Sequence, residues 1–393
     1  MRSSDVPSSR RSFLRDASLV GVFAALHRVG LAQAVDPPLQ DPVKTGIPGD
    51  AAVPAGLPTL REAAEQRGLL VGTAVAVPML RRDPAYAELI KQQANIVVAE
   101  NSMKFGPLRP APDKFFFGEA DALFAFAEAN GMKVRGHNFV WHRQLPRWFE
   151  GYATKDNAAS ILTNHIETVG GRYAGRVHSW DVVNEAIQVD DGMPDGLRNS
   201  PWYKLLGPGY IDLAYRTARK VDPKALLCYN DYDIESDAPA QAAKRAALLK
   251  LVRGMQQRNV PIDAIGIQSH IKAGEKQVYG EGLRQFMHEV QGMGLKMLLT
   301  EMDVNDRALP SDVATRDKAV AAIYGNYLRL TLGNPDTIAL LTWGITDKYT
   351  WLNGEDSRPD KLPERALPFD ADLRPKPAYV AEVEAIRNAP PRG

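Results

Sequence analysis

Eight short apolar runs, each followed by a stretch with helical patterning, constrain this chain more than any other feature. The runs are Leu69–Ala76, Asn95–Asn101, Lys133–Trp141, Ser179–Glu185, Ala225–Asp231, Ala264–His270, Lys296–Asp303 and Ala339–Thr346. Amphipathic segments such as Gly118–Asn130 and Ala238–Arg258 lie between them. Strands that alternate with helices form βα units, and helical crossovers make such strands parallel. Eight units are enough to close the sheet on itself. The expected fold class is therefore α/β, a single (β/α)8 TIM barrel. With 393 residues the chain exceeds a common domain size, but α/β barrels of this length run as one domain.

The residues before the first run divide into two parts. Residues 1–34 carry the marks of an export signal. Ser9-Arg10-Arg11-Ser12-Phe13-Leu14-Arg15 resembles a twin-arginine motif, Ala17–Leu26 is modestly apolar, and Ala32-Gln33-Ala34 has the small-x-small form of a cleavage site. The apolar stretch is too short for a membrane span, which needs about 20 residues. A disordered basic tail is the alternative reading. Residues 35–57 are rich in Pro, Gly, Ala and Asp, show no period, and read as a linker. A single barrel domain is expected over residues 58–389. Its first helix is announced by Thr59, three residues before Glu62, which is capping-box spacing. The mature chain is expected to begin near Val35 and to act in the periplasm or the medium.

A formal charge of +1 gives no overall field toward nucleic acid or an anionic membrane, and a neutral polymer fits that balance. The single cysteine, Cys228, excludes an intrachain disulfide. It sits in Ala225-Leu226-Leu227-Cys228-Tyr229 and reads as a buried thiol packing as a small hydrophobe.

Polar and aromatic residues gather at the C-terminal ends of the runs. Asn101 and Lys104 follow run two, with Lys104 set one helical turn after Glu100-Asn101, and His137 and Trp141 close run three. Asn184 and Glu185 close run four, Gln268 and His270 run six, Glu301 and Asp303 run seven, and Trp343 run eight. In a barrel those ends form the face on which active sites are built. Glu185 and Glu301 stand out because each ends a run that is otherwise nearly all apolar. An ionised Glu there is costly unless it is paired or used. One such Glu would suggest a structural ion pair; two, on strands four and seven, suggest chemistry. Glycosidic bond cleavage needs such a pair, a carboxylic acid to protonate the leaving oxygen and a carboxylate to attack the anomeric carbon. No HExxH, Cys/His ligand set or Gly-rich phosphate loop occurs, so neither a metal nor any other cofactor is expected.

Several segments carry a family resemblance in order along the chain. They are Glu100-Asn101-Ser102-Met103-Lys104, Gly136-His137-Asn138-Phe139-Val140-Trp141-His142, Trp180–Glu185, Gly266-Ile267-Gln268-Ser269-His270, Thr300-Glu301-Met302-Asp303 and Thr342-Trp343-Gly344-Ile345-Thr346-Asp347. Lys376-Pro377-Ala378-Tyr379 fits as well. Together they resemble the family 10 glycoside hydrolases, the endo-β-1,4-xylanases, over roughly residues 58 to 388. The resemblance implies a retaining double displacement on internal linkages of xylan, with Glu185 as acid/base and Glu301 as nucleophile. It implies that His270, held by Asp303, positions the nucleophile, and that Asn184 binds the sugar 2-hydroxyl. Glu100, Asn101, Lys104, His137 and Gln268 match hydroxyl-binding positions, and Trp141, Trp343 and Trp351 match aromatic walls, a role that suits half-exposed rings at Trp343 and Trp351 because a buried indole N–H needs a partner. Xylan or its oligosaccharides would be the partner of a monomer, with no nucleic acid and no membrane once the signal is removed.

Two features depart from the family pattern. Met302 follows the expected nucleophile where leucine is usual, a swap that conserves volume. Leu352–Pro368 forms a long polar loop expected on the active-site face. His142 stays ambiguous, and Asn230-Asp231-Tyr232 is read as reaching the leaving-group side. Three other functions remain open at this point. A β-1,4-glucanase would keep fold and mechanism. A non-catalytic polysaccharide-binding barrel would be expected to lack one of the two Glu residues. A metal-dependent isomerase would need more carboxylates than the spare Asp181 and Asp303.

Overall fold

The computed structural model describes residues 54, 56–274, 278–354 and 357–392. The expected export segment, and the expected linker apart from Pro54, Gly56 and Leu57, lie outside the described residues. The first helix, Leu60–Glu65, begins as its sequence dictates. The Thr59 side chain accepts from the Glu62 N–H, and the Glu62 carboxylate accepts from the Thr59 N–H.

Among the described residues nine parallel strands follow: β1 (Leu70–Val75), β2 (Ile96–Ala99), β3 (Lys133–Gly136), β4 (Val177–Asn184), β5 (Leu226–Asp231), β6 (Ala264–Ile267), β7 (His270–Lys272), β8 (Lys296–Asn305) and β9 (Thr337–Thr342). β1 to β6 pair in sequence order, β9 joins β1 to β8, and β8 returns to β6. The sheet is therefore a closed eight-stranded barrel. The ninth strand, β7, pairs only with the outer part of β8.

Strand alternation sorts side chains into two cores. Ile96, Val98, Cys228, Leu298 and Leu341 meet in the lumen with Trp343 above them. Val97, Ala99, Val134, Leu227, Ile265 and Leu299 face outward and join the larger core beneath the helices. Cys228 is fully buried, and burial pushes its thiol up to about 12. The lumen also holds a buried ion pair, Arg135 clasping both oxygens of Asp181. Gly136 ends β3 because a Cβ there would lie 2.0 Å from the Trp180 ring.

Several strands stop earlier than the apolar runs suggested. Run three extends to Trp141 in the sequence, yet β3 ends at Gly136; Phe139 and Val140 still donate to the Asp181 and Val182 carbonyls, at 3.0 and 3.1 Å. Run six breaks at Ser269, whose φ of 66° turns the chain out of β6 and into β7. Run eight ends at Thr342, and Gly344, at φ 104°, swings the chain over the barrel mouth. Apolar character persists past each break because Phe139, Val140, Ile271 and Ile345 still pack into the outer core, and Trp343 closes the lumen.

Candidate active site

The C-terminal strand ends and the loops beyond them enclose one cleft of about 630 Å³. Every site residue expected from the sequence lines it. Glu100, Asn101 and Lys104 follow β2, and His137 and Trp141 follow β3. Asn184 ends β4 and Glu185 follows it. Gln268 and His270 flank the Ser269 turn, Glu301 and Asp303 lie on β8, and Trp343 and Trp351 follow β9.

Glu185 turns off β4 with φ 57°, a conformation rare for side-chain-bearing residues and frequent at functional sites. Its N–H donates to the Asn230 carbonyl (2.9 Å), and its own carbonyl accepts from Arg198 Nε (2.6 Å). The residue is 7 % exposed. Oε1 accepts from Asn184 Nδ2 and Gln268 Nε2, both at 3.1 Å. Burial pushes the Glu185 pKa up, and the charges of Asp231 and Glu301 add to the rise; the Trp141 and Gln268 N–H groups oppose it without prevailing.

Glu301 meets different neighbours. Its Oε1 accepts from Asn230 Nδ2 (2.7 Å), and its Oε2 lies 3.3 Å from His270 Nε2. Burial would raise this carboxyl too, but His270, His137 and Lys104 outweigh it and hold its pKa down to about 2. His270 Nδ1 in turn sits 2.9 Å from Asp303 Oδ1, whose other oxygen accepts from the Trp351 indole N–H (2.8 Å). Burial opposes charge on the imidazole, yet the Asp303 carboxylate and the bonds to Asp303 and Glu301 lift its pKa well above the ordinary histidine value.

Beneath the two carboxylates lies Asn230, fully buried. Its Nδ2 donates both to Asn184 Oδ1 (2.9 Å) and to Glu301 Oε1, while its Oδ1 accepts from Thr300 Oγ1 (2.7 Å). This corrects the sequence reading, which sent Asn230 toward the leaving-group side. The usable signal was its place on the lumen-facing alternation of β5, two residues after Cys228. Gly266 makes the room: a Cβ there would fall 2.2 Å from Asn230 Oδ1. Tyr232, from the same segment, does line the cleft. Asp181 is not a spare carboxylate. It is held by Arg135 and by His137 Nδ1 at 2.9 Å, so His137 is braced from below.

At the β2 end, Lys104 Nζ donates to Asn101 Oδ1 and Asn101 Nδ2 to Glu100 Oε1, both at 3.0 Å. The sequence reading set Lys104 one helical turn after Glu100-Asn101. The structure has instead a turn closed by the Lys104 N–H on the Asn101 carbonyl (3.0 Å), with the helix Phe105–Leu108 beginning afterwards. The ammonium stands 5.1 Å from the Trp141 ring and 5.5 Å from the Trp343 ring. Trp343 is 7 % exposed, not the half-exposed ring expected, because Lys104 and the edge-on His137 ring (5.2 Å) cover it.

Other cleft residues escaped the sequence reading. Arg198 lies in an irregular segment with no pattern, and reaches the Glu185 carbonyl and the Tyr232 hydroxyl (3.0 Å). His142, left ambiguous, places Nδ1 3.7 Å from Glu185 Oε2; burial, then Arg198, Arg143 and Lys244, hold its pKa down to about 3. The Leu352–Pro368 loop is less open than its polar composition suggests. Arg358 is buried and bonds the Asp306 and Leu309 carbonyls, and Ala366 and Leu367 pack on Leu352. Among its described residues, Leu352 and Gly354 reach the cleft.

A carboxyl whose pKa is raised and one whose pKa is held down, in the same cleft, are suited to deliver a proton and a nucleophile to a single bond. Comparisons with known proteins agree with that chemistry. The description "Glycosyl hydrolase family 10" matches residues 59–385. The chain is 37 % identical to the endo-1,4-beta-xylanase B of Thermotoga neapolitana over 299 residues, 75 % of this chain and 82 % of that protein. It is 36 % identical to a thermostable celloxylanase of Thermoclostridium stercorarium over 332 residues, 77 % and 81 % of the two chains. Among solved structures, xylanase 10B of Thermotoga petrophila RKU-1 in complex with xylobiose superposes with a TM-score of 0.77 at 36 % identity, covering 84 % of this chain and 97 % of that one. Barrel, cleft and relatives lead to one conclusion: the chain belongs to glycosyl hydrolase family 10.

Proposed function

We propose that this protein is an endo-β-1,4-xylanase that hydrolyses internal β-1,4-xylosidic bonds of xylan with retention of configuration. The observation that carries the reading is the opposed setting of Glu185 and Glu301 within one cleft. Protonated Glu185 gives its proton to the leaving glycosidic oxygen while the Glu301 carboxylate attacks the anomeric carbon. The C–O bond breaks and a glycosyl ester forms on Glu301. Glu185, now ionised, takes a proton from water, whose oxygen attacks the same carbon and releases Glu301. Two inversions give net retention.

The other cleft residues take supporting roles. His270, oriented by Asp303, keeps Glu301 ionised between turnovers. Asn184 serves the 2-hydroxyl beside the cleaved bond. Glu100, Asn101, Lys104, His137 and Gln268 bind hydroxyls of the sugars on the nucleophile side, between the walls of Trp141, Trp343 and Trp351. The xylan assignment is supported by the similar endo-1,4-beta-xylanases and by the xylobiose-bound neighbour. The celloxylanase relative favours one second reading, a retaining β-1,4-glucanase on the same site. Rates on xylan and on carboxymethylcellulose separate the two; faster cleavage of the cellulose derivative would reject the xylanase reading.

The twin-arginine-like segment and the Ala32-Gln33-Ala34 site support export to the periplasm or medium, with the mature monomer starting near Val35. Recovery of exported protein with an intact N-terminus would refute that part. No helix among the described residues is long and apolar enough to cross a membrane.

A further inference from the structure

β7 and the outer part of β8 extend one wall of the cleft beyond the barrel proper. Their register sets His270 opposite Asp303 and Lys272 opposite Asn305. Because strand side chains alternate, His270 and Lys272 share a face, as do Glu301, Asp303 and Asn305. All five line the cleft. The wall is thus layered. Glu301 is deepest, the His270–Asp303 pair stands above it, and the Lys272–Asn305 pair forms the rim, one strand repeat or roughly 7 Å farther out.

The rim pair differs from the layer below. His270 and Asp303 bond each other, and each also bonds a further partner, Glu301 and Trp351. The Asn305 carboxamide oxygen accepts from the Arg307 N–H (2.9 Å), which leaves its –NH2 as the donor end. Lys272 is exposed and has no ion pair or hydrogen bond from its ammonium among the described residues. Of the other cleft cations, Lys104 is engaged with Asn101 and Arg198 with Glu185, Gln188 and Tyr232, while Arg143 lines the cleft from the segment after β3 and not from this wall. An ammonium and an amide –NH2 side by side form a two-donor edge, which matches the two acceptor oxygens of a carboxylate. A neutral xylan backbone offers no such group; a hexuronic acid branch does.

We propose that Lys272 and Asn305 form a rim subsite for the carboxylate of an acidic branch on the substrate, which makes this enzyme selective for uronic-acid-substituted xylan over the neutral polymer. The proposal rests on the xylanase reading above. It also competes with a simpler role for Lys272, offsetting the negative charge of Glu301 and Asp303 below it.

The test compares kcat/KM on glucuronoxylan with kcat/KM on the same polymer after chemical reduction of its carboxyls to alcohols. The wild-type ratio should exceed one and fall toward one as salt is raised, because the contact is solvent-facing and screened. Lys272→Met should lower the ratio by roughly 5-fold, the size of one charge-assisted contact at a partly exposed site. Lys272→Arg should keep most of it, and Lys272→Glu should push it below one. Asn305→Ala should lower it less. A wild-type ratio at or below one overturns the proposal. So does a Lys272→Met variant that slows both polymers equally, which would assign the lysine to the electrostatics of Glu301. Loss of the xylanase reading itself would show separately, as failure of the wild type to cut either polymer.

Discussion

The end of β4 and the middle of β8 present the same side chain in nearly the same exposure, with opposite results. Glu185 is 7 % and Glu301 5 % exposed. Burial works against ionisation at both. At the β4 end the hydrogen-bonding neighbours, two amides and the Trp141 indole, bring no charge, and the other carboxylates raise the pKa further. On β8 a histidine braced by Asp303 supplies positive charge within 3.3 Å. The lesson is that depth in the barrel does not set the role; the charge of the immediate partner does.

The largest expected effect removes one side of this contrast altogether. Glu301→Ala should lower kcat on xylan by at least roughly 10⁴-fold, as loss of a nucleophile does elsewhere. Azide, occupying the vacated space, should restore turnover and give product of inverted configuration, read by NMR of the anomeric proton. Near-normal rates would place the nucleophile elsewhere. Glu185→Ala should cost about 10²–10⁴-fold on xylan, the usual worth of a general acid. It should cost much less in the glycosylation step of an aryl xylobioside with a good leaving group, because that departure needs no proton. Equal losses on the two substrates would break the assignment of the acid.

A smaller effect sharpens the comparison by making the β8 site resemble the β4 end. His270→Gln removes the cation but keeps a donor. Glu301 must be ionised to attack, and its pKa is held down to about 2 with His270 as the largest opposing influence to burial. Without it the acid limb of kcat/KM should move up by about one pH unit or more, so activity is lost first at low pH. An unmoved acid limb would show that His270 does not set the charge of Glu301.

The smallest effect uses a third buried Glu as control. Glu382, in the C-terminal helix Pro377–Asn388, is fully buried with neither carboxyl oxygen bonded, and burial alone raises its pKa to about 8. The folded state therefore holds a proton that the unfolded chain releases near the ordinary value of 4.5. This contribution to stability is fully present below pH 4.5 and is lost as pH rises toward 8, by at most about 1.4 kcal/mol per pH unit. Glu382→Gln should flatten that decline in urea titrations between pH 5 and 8, while leaving the kcat/KM profile in place. An unchanged slope would mean that Glu382 is ionised in the fold.

Much of this arrangement was legible in the sequence because it follows from local pattern. Continuous apolar runs mark strands buried on both faces, and a polar residue closing such a run marks the barrel mouth. That is how Glu185, Glu301, His270 and Asp303 stood out, and Thr59–Glu62 gave the first helix start. What stayed hidden depends on contacts between distant strands. Asn230 bridges β4 and β8 from β5, and its type alone does not say which groups it meets. Asp181 looked spare because its partner, Arg135, lies on another strand. Arg198 follows no periodic pattern, and the Leu352–Pro368 loop looked open because the carbonyls that bury Arg358 belong to Asp306 and Leu309.

The central claim is that the carboxylate on β8, and not the one at the end of β4, bonds to the sugar. Brief incubation with a 2-deoxy-2-fluoro xylobiosyl donor, followed by peptide mapping with mass spectrometry, reads that directly. One fluoroxylobiosyl group should be found on the peptide containing Glu301, on its side-chain oxygen. A label on Glu185, or an inactivated enzyme with no covalent adduct, would contradict the account.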